Sequence, residues 1–254
     1  MELRQLGANG PQVSAIGLGT TKFGRNEGVK YPTSFALPSE AALRELLAVA
    51  RENGINLLDT APAYGSAEER IGRLTEGDGG WVIATKAGET FADGRSHFDF
   101  SPAAIADSIE NSRRRLRRDV LDLVLLHSSG DDLPILNDSG AMETLRELKA
   151  RGRIGAIGAS TKTVEGGLRA VEICDVVMVT LNASDRTQLP VIRAAERAGK
   201  GVLIKKPLDS GHQAAADNTL GELVGEQGVT AVIVGTINHR HIVENCAAVE
   251  RART

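Results

Sequence analysis

The stretch Val120-Leu121-Asp122-Leu123-Val124-Leu125-Leu126-His127 is an almost unbroken apolar run that stops on an imidazole. It is short for a helix and apolar on both faces, the pattern of a strand covered from two sides. The same kind of run recurs outward in both directions. Before it come Val13 to Gly19, Ile55 to Leu58 and Trp81 to Thr85; after it come Ile154 to Ile157, Val176 to Val179, Gly201 to Ile204 and Ala231 to Val234. Helical patterns fill the gaps. Ser39 precedes Leu43, Leu46, Leu47 and Ala50, a single buried stripe at helical spacing. Ser66-Ala67-Glu68-Glu69 predicts a capping box, and Ser101-Pro102 an N-cap followed by proline at the first helical position. Met142, Leu145 and Leu148 mark another helix, Pro190 through Arg197 a further one. Asn238 caps a last helix with Ile242, Cys246 and Val249 on one face.

Strands apolar on both faces that alternate with helices imply a parallel sheet sheathed by helices. Eight such units favour an α/β fold of the (β/α)₈ TIM-barrel type, although periodicity alone also allows an open doubly wound sheet. Met1 to Pro11 reads as a short N-terminal β-hairpin with Asn9-Gly10 as its turn. No composition shift marks a boundary, so residues 1–254 are expected to form a single barrel domain. Three long connections, Gly24 to Pro38, Ala87 to Phe100 and Ser128 to Asp138, all follow strands. They belong on the face where barrel active sites are built.

The composition narrows the function classes. The chain has 254 residues, 41% of them hydrophobic and 25% charged, which is ordinary for a globular protein. A net charge of −3 gives no electrostatic argument for nucleic acid or an anionic membrane. The basic run Arg113-Arg114-Arg115-Leu116-Arg117-Arg118 closes a helix, where cations complement the dipole. No apolar run approaches a membrane span, and Met1-Glu2-Leu3-Arg4-Gln5 lacks the start of a secretory signal, so a cytoplasmic location is expected. Cys174 and Cys246 read as small buried hydrophobes, and no His, Cys and carboxylate set has metal-site spacing. The expected partner is a small-molecule carbonyl or alcohol substrate, the expected state a monomer or small homo-oligomer.

Chemistry gathers where the strands stop. One run ends in Asp59, the next in Lys86, the next in His127, and Tyr64 follows Asp59 within Thr60-Ala61-Pro62-Ala63-Tyr64-Gly65. Ends of adjacent parallel strands converge on the barrel mouth. A phenol titrates near 10, about three units too high to be a ready acid at neutral pH. An adjacent ammonium favours its phenolate, and a carboxylate keeps that ammonium in place. Tyr64 as general acid, Lys86 as its tuner, Asp59 as partner of Lys86 and His127 as orienter of the substrate oxygen form a proton-delivery set.

These residues, with Gly17-Leu18-Gly19-Thr20, Ala84-Thr85-Lys86, Gly158-Ala159-Ser160, Lys206-Pro207-Leu208-Asp209-Ser210-Gly211 and Val234-Gly235-Thr236, resemble the motifs of the aldo-keto reductase family in order and spacing, from Val13 to Asn245. The resemblance implies a (β/α)₈ barrel that moves hydride between NADP(H), with NAD(H) left open, and an aldehyde, ketone, alcohol or sugar. It implies Tyr64 as the acid/base with Asp59, Lys86 and His127 beside it. It implies cofactor contact at Gly19 and Thr20, at Ser160 and Thr161 near the carboxamide, at Leu181, and at Pro207, Leu208, Ser210 and Gly211 along the pyrophosphate. Gly235, Thr236, Asn238, Arg240, His241, Glu244 and Asn245 would surround the adenosine end. His239, Arg240 and His241 open a helix, where positive charge opposes the dipole unless an anion sits there.

Departures from the family pattern carry their own expectations. Thr161 stands for the usual asparagine, Met178 for a glutamine, Leu181 for the aromatic that stacks on nicotinamide, and Gly235 and His241 for basic phosphate ligands. An altered nicotinamide platform leaves a non-catalytic nicotinamide-binding or regulatory protein as the alternative. A Schiff-base lyase using Lys86 or Lys205 is a third reading. With the chain ending at Thr254, substrate selection is expected to fall on Phe23, Tyr31, Phe35, Phe91, His97, Phe98 and Phe100 of the long loops, for a small polar aldehyde, ketone or sugar.

Overall fold

The computed structural model describes residues 1–212 and 218–252; Thr254 lies outside them. Every apolar run becomes a strand. The chain runs β1 (Leu3–Gln5), β2 (Gln12–Ser14), β3 (Ile16–Gly19), α1 (Thr21–Gly24), α2 (Glu40–Glu52), β4 (Leu57–Asp59), α3 (Ala67–Leu74) and β5 (Val82–Ala87). There follow β6 (Glu89–Ala92), β7 (Arg95–Phe98), α4 (Pro102–Leu116), β8 (Leu121–His127), α5 (Asp132–Asn137), α6 (Ala141–Ala150) and β9 (Ile154–Ser160). The last part is α7 (Val164–Ile173), β10 (Val176–Thr180), α8 (Leu189–Arg197), β11 (Gly201–Lys205), α9 (Thr219–Gly225), β12 (Ala231–Gly235) and α10 (His239–Arg251).

Strands β3, β4, β5, β8, β9, β10, β11 and β12 pair in that order, all parallel, and β12 returns to β3, so the sheet is a closed barrel rather than an open one. Side chains alternate across it with period two. Leu57, Ala84, Leu123, Leu125, Ala156, Val176, Met178, Leu203, Ala231 and Ile233 fill the inside, and Leu6 and Val13 join this cluster from the N-terminal hairpin. Their neighbours Leu58, Ile83, Val124, Leu126, Ile157, Val177, Val179, Ile204 and Val232 face out and pack beneath the helices. Removing this much apolar surface from water is the main drive for closure.

Several local expectations change. The hairpin strands are β1 and β2, so the second strand lies beyond Pro11, and the run from Val13 to Gly19 divides at Ala15 into a hairpin strand and a barrel strand. Asn9-Gly10 is not a two-residue turn. A longer loop is closed by the Leu6 N–H donating to Pro11 O at 3.0 Å, with Gly7 at φ +73°. Ser39, Ser101 and Asn238 cap their helices as expected, but the Ser66 hydroxyl makes no cap bond. The acid that matters there is Glu68, which turns inward and accepts from Thr85 Oγ1 at 2.6 Å and from Arg115 at 3.1 Å. The connection from Ala87 to Phe100 is not a loop but the hairpin β6–β7, turned at Asp93-Gly94, both with positive φ. That is the geometry of a tight two-residue hairpin turn. The arginine run is taken up by Glu110, Glu68 and Glu76. No described helix is long and apolar enough to cross a membrane.

Candidate active site

Strand alternation decides which strand-end groups meet. Continuing the inner face to the C-terminal rim brings Gly19, Asp59, Lys86, His127, Ser160, Lys205 and Gly235 to the barrel mouth, and all of them line one cleft of about 380 Å³. The same counting sends Thr20, Thr161, Leu181 and Thr236 outward.

At the centre, Lys86 Nζ donates to Asp59 Oδ1 at 2.6 Å, to Thr60 O at 2.9 Å and to the Tyr64 hydroxyl at 3.2 Å. Tyr64 arrives on a 3-10 turn, Pro62–Tyr64, that ends at Gly65 with φ +61°. This turn backs directly onto Gly24, where a Cβ would collide with the backbone of Tyr64 and Ala67. Arg25 ties the two segments, donating to Ala63 O at 3.0 Å and Gly28 O at 2.8 Å while stacking 3.4 Å over the Phe91 ring. The His127 ring meets Tyr64 edge-on at 6.2 Å between centroids.

Burial is the strongest influence on the Tyr64 phenol and raises its pKa; Lys86 opposes this and Asp59 adds to it, for a net upward shift. The neighbouring ammonium alone would give a lowered value, but desolvation outweighs it. Burial alone would lower Lys86, yet Asp59 and Tyr64 outweigh it and hold the ammonium charged. The resting state is therefore a neutral phenol against a charged lysine.

Two further groups at this rim were not foreseen in these positions. Glu89, from the unexpected hairpin, places Oε2 at 2.8 Å from His127 Nδ1 and accepts from Ser96 at 2.6 Å. Burial pushes Glu89 up, but His127, Ser96 and Arg25 bring it down to about 2. Burial pushes His127 below its ordinary value against the pull of Glu89. A carboxylate beside a neutral imidazole favours the ring proton on Nδ1 and leaves Nε2 as an acceptor. Lys205 donates to Ser160 Oγ at 2.8 Å and Thr161 O at 2.7 Å. Burial, then Lys206 and Lys86, press it down to about 7, with Asp132 opposing.

The sequence-derived cofactor positions divide. Gly19, Ser160, Pro207, Leu208, Ser210, Gly211 and Gly235 line the cleft. The side chains of Thr20, Thr161, Leu181 and Thr236 do not: Leu181 is fully buried among the outer core residues, because Met178 faces inward and the residue three further along a strand faces the other way. Thr20 donates to Asp59 O at 2.9 Å. Asn238, Arg240, His241, Glu244 and Asn245 belong to the first turns of α10, beyond the cleft wall; Thr236 Oγ1 and His241 Nδ1 are 3.3 Å apart there. Of the aromatic loop residues proposed for substrate, only Tyr31 lines the cleft. Phe23 is fully buried, Phe91 lies under Arg25, Phe35 edges onto Tyr31, and Phe98 stacks on Phe100.

The cleft has one bare wall and a strongly basic lining. Gly19 and Gly235 are register neighbours and leave one wall bare, where a Cβ on Gly235 would come within 3.2 Å of Tyr31 Oη. Lys22, Arg25, Lys30, Lys162, Lys205 and Lys206 line the same space against only Asp59 and Glu89. In a chain of net charge −3, this concentrates positive potential at the mouth.

Comparison with known proteins agrees with this architecture. Residues 15–223 match the model of the Aldo/keto reductase family. The aldo-keto reductase YhdN of Bacillus subtilis is 32% identical over 170 residues, 65% of this chain but 48% of YhdN, so the match spans about half of that relative. The uncharacterized oxidoreductase YqkF, also from Bacillus subtilis, is 30% identical over 86% of this chain and 72% of its own length. A solved structure of a provisionally named aldo-keto reductase from Pseudomonas aeruginosa is 48% identical, with a TM-score of 0.92 over 99% of this chain and 95% of that one.

Proposed function

The chain belongs to the Aldo/keto reductase family, and on that premise we propose that it is an NADP(H)-dependent oxidoreductase of small polar aldehydes, ketones or the matching alcohols and sugars. In this reading residues 1–254 act as one barrel domain in the cytoplasm. The observation that carries it is the contact of Lys86 Nζ with the Tyr64 hydroxyl at 3.2 Å, beneath a cleft and anchored by Asp59.

The cofactor, when bound, supplies the hydride or accepts it. Ser160 would hold the carboxamide, Leu208, Ser210 and Gly211 the pyrophosphate, and the cationic rim the remaining phosphate charge. Tyr64 keeps its proton at rest because burial raises its pKa. It gives that proton to the substrate oxygen as negative charge builds there, and the Lys86 ammonium stabilises the phenolate left behind. Asp59 keeps Lys86 charged throughout. His127 lines the cleft beside Tyr64 and shapes the space around the substrate oxygen; in the oxidative direction the alcohol's single hydroxyl proton passes to Tyr64. The barrel mouth supplies these groups in fixed positions, so little reorganisation is needed during proton transfer.

Replacing Tyr64 by phenylalanine tests this. Turnover of reduced nicotinamide with a panel of aldehydes and ketones should fall on the order of 10²–10⁴-fold, with cofactor affinity kept. Unchanged turnover rejects Tyr64 as the acid. Cofactor binding without turnover of any panel member by the unaltered protein would favour a regulatory role instead.

A further inference from the structure

Lys86 and Lys205 both come from inward-facing positions at the ends of their strands, yet their surroundings are opposite. Lys86 has the Asp59 carboxylate at 2.6 Å. Among the described residues Lys205 has no carboxylate within ion-pair distance; its two partners are the neutral oxygens of Ser160 and Thr161. The acid that acts on it, Asp132, is already engaged by the Ser128 hydroxyl and by Lys162 N–H and Thr163 N–H at 2.9 and 2.7 Å. One wall of the cleft thus carries an unneutralised ammonium, fixed in direction by two hydrogen bonds.

We propose that Lys205 sets which oxidation state of the nicotinamide this protein holds more tightly, disfavouring the cationic oxidised ring and so favouring the neutral reduced one. The inference rests on the reading above, in which the nicotinamide carboxamide lies against Ser160. The two forms differ at the ring by one positive charge and otherwise share every phosphate and hydroxyl. A fixed cation beside the ring therefore acts on their difference alone. Ser160 takes part as well: its oxygen accepts from Lys205, which leaves its own proton free to donate to the carboxamide oxygen. In a partly buried site, like charges at ring distance correspond to roughly 10–100-fold in the ratio of the two dissociation constants. The consequence is preferential loading of the reduced cofactor and ready release of the oxidised one, together with a weaker hydride donor in the bound state.

The preference should also depend on pH, since the ammonium of Lys205 is pressed down to about 7. The charged and titratable groups facing it are Lys206 beside it, Lys86 on β5, Lys162 beyond β9, Asp132 on α5 and His127 at the end of β8. Taking the ratio of the two cofactor forms cancels titration of the shared phosphates. Comparison with a variant lacking the amine separates Lys205 from His127.

The experiment is titration of the intact protein with NADPH and with NADP⁺, followed by calorimetry, for the unaltered chain, Lys205→Met and Lys205→Arg. The unaltered protein and the arginine variant should bind NADPH more tightly. The methionine variant should lose at least about tenfold of that ratio, mainly by binding NADP⁺ more tightly. Between pH 6 and about 8.5 the ratio of the unaltered protein should fall toward that of Lys205→Met, which stays flat. Binding of both forms with the same ratio in all three proteins overturns the inference and leaves the functional reading standing. No binding of either form to the unaltered protein overturns both.

Discussion

The amine of Lys86 lies 2.6 Å from the carboxylate of Asp59 with 2% and 7% of the two side chains exposed, a buried ion pair whose third partner is the hydroxyl of Tyr64. Such a pair is poor evidence for stability, because desolvating two charges offsets most of their attraction. Its retention at the mouth of the barrel is better understood through Tyr64. Without Asp59, a buried ammonium at this depth would lose its proton to desolvation, and the phenol would have nothing to stabilise its conjugate base.

Breaking the pair from one side should therefore cost more than removing it. Asp59→Asn leaves Lys86 uncompensated and should destabilise by about 3–5 kcal/mol, whereas Asp59→Asn with Lys86→Met should recover a good part of that loss. Urea unfolding of the two single variants and the double variant measures the coupling. Additive losses would mean that the two charges do not depend on each other.

Gly24 and Gly65 fix the height of the turn that carries Tyr64. Any side chain at residue 24 meets the backbone of Tyr64 and Ala67, which cannot give way as a flexible side chain could. Gly24→Ala should cost about 1–3 kcal/mol and, by displacing the Tyr64 turn, lower activity further than the stability loss explains. Thermal unfolding and turnover on the same preparation check this. A variant as active as the parent at temperatures well below its unfolding would show that the turn tolerates displacement.

Glu89 holds His127 in one tautomer through the 2.8 Å contact at Nδ1. Glu89→Gln removes the anion that selects the Nδ1 proton, and ¹⁵N chemical shifts of the His127 ring should report a mixed population in place of one form. The effect on stability has a defined sign. The folded pKa of Glu89 is about 2, below its unfolded value, so its contribution is present above the unfolded pKa and is lost as pH falls through about 2. The stability difference between parent and variant should shrink steadily as the buffer is acidified below about 4.

Most of the barrel was legible because parallel strands buried on both faces are apolar throughout, and runs of that kind stand out whatever their neighbours do. Asp59, Lys86 and His127 were legible for the same reason: each ends such a run. Leu181 and Lys205 show what counting adds to run-spotting, since Lys205 ends the run from Gly201 as plainly as Lys86 ends its own. Counting the period of two from Met178 and from Leu203 turns the first away from the cleft and the second into it. That arithmetic was available in the sequence, since it needs only the inner face of one residue in each strand. Glu89 is different. Asp93-Gly94 could have announced its hairpin, but nothing local says that the hairpin folds back until a carboxylate touches an imidazole from another strand. Likewise Ser66 had a capping-box sequence, yet its hydroxyl makes no cap bond, and the acid with a tertiary role is Glu68, one residue before the box position Glu69.

Lys205 should also mark the stability of the protein without any ligand. Its folded pKa is depressed to about 7, below the unfolded lysine value. For a group so shifted, stability is greatest above the unfolded pKa, where both states are neutral, and is lost as pH falls toward the folded pKa, because the unfolded chain takes up the proton first. Below about 7 both states are protonated and the loss is constant. Lys205→Met removes this linkage while keeping much of the stem's apolar volume. The variant should therefore unfold at higher urea than the parent at pH 6, with an advantage that narrows from about pH 7 upward and vanishes near pH 10.4. Comparing variant with parent at each pH cancels the titration of every other group. A variant less stable than the parent at pH 6 would mean that the hydrogen bonds to Ser160 and Thr161 outweigh the cost of burying the charge.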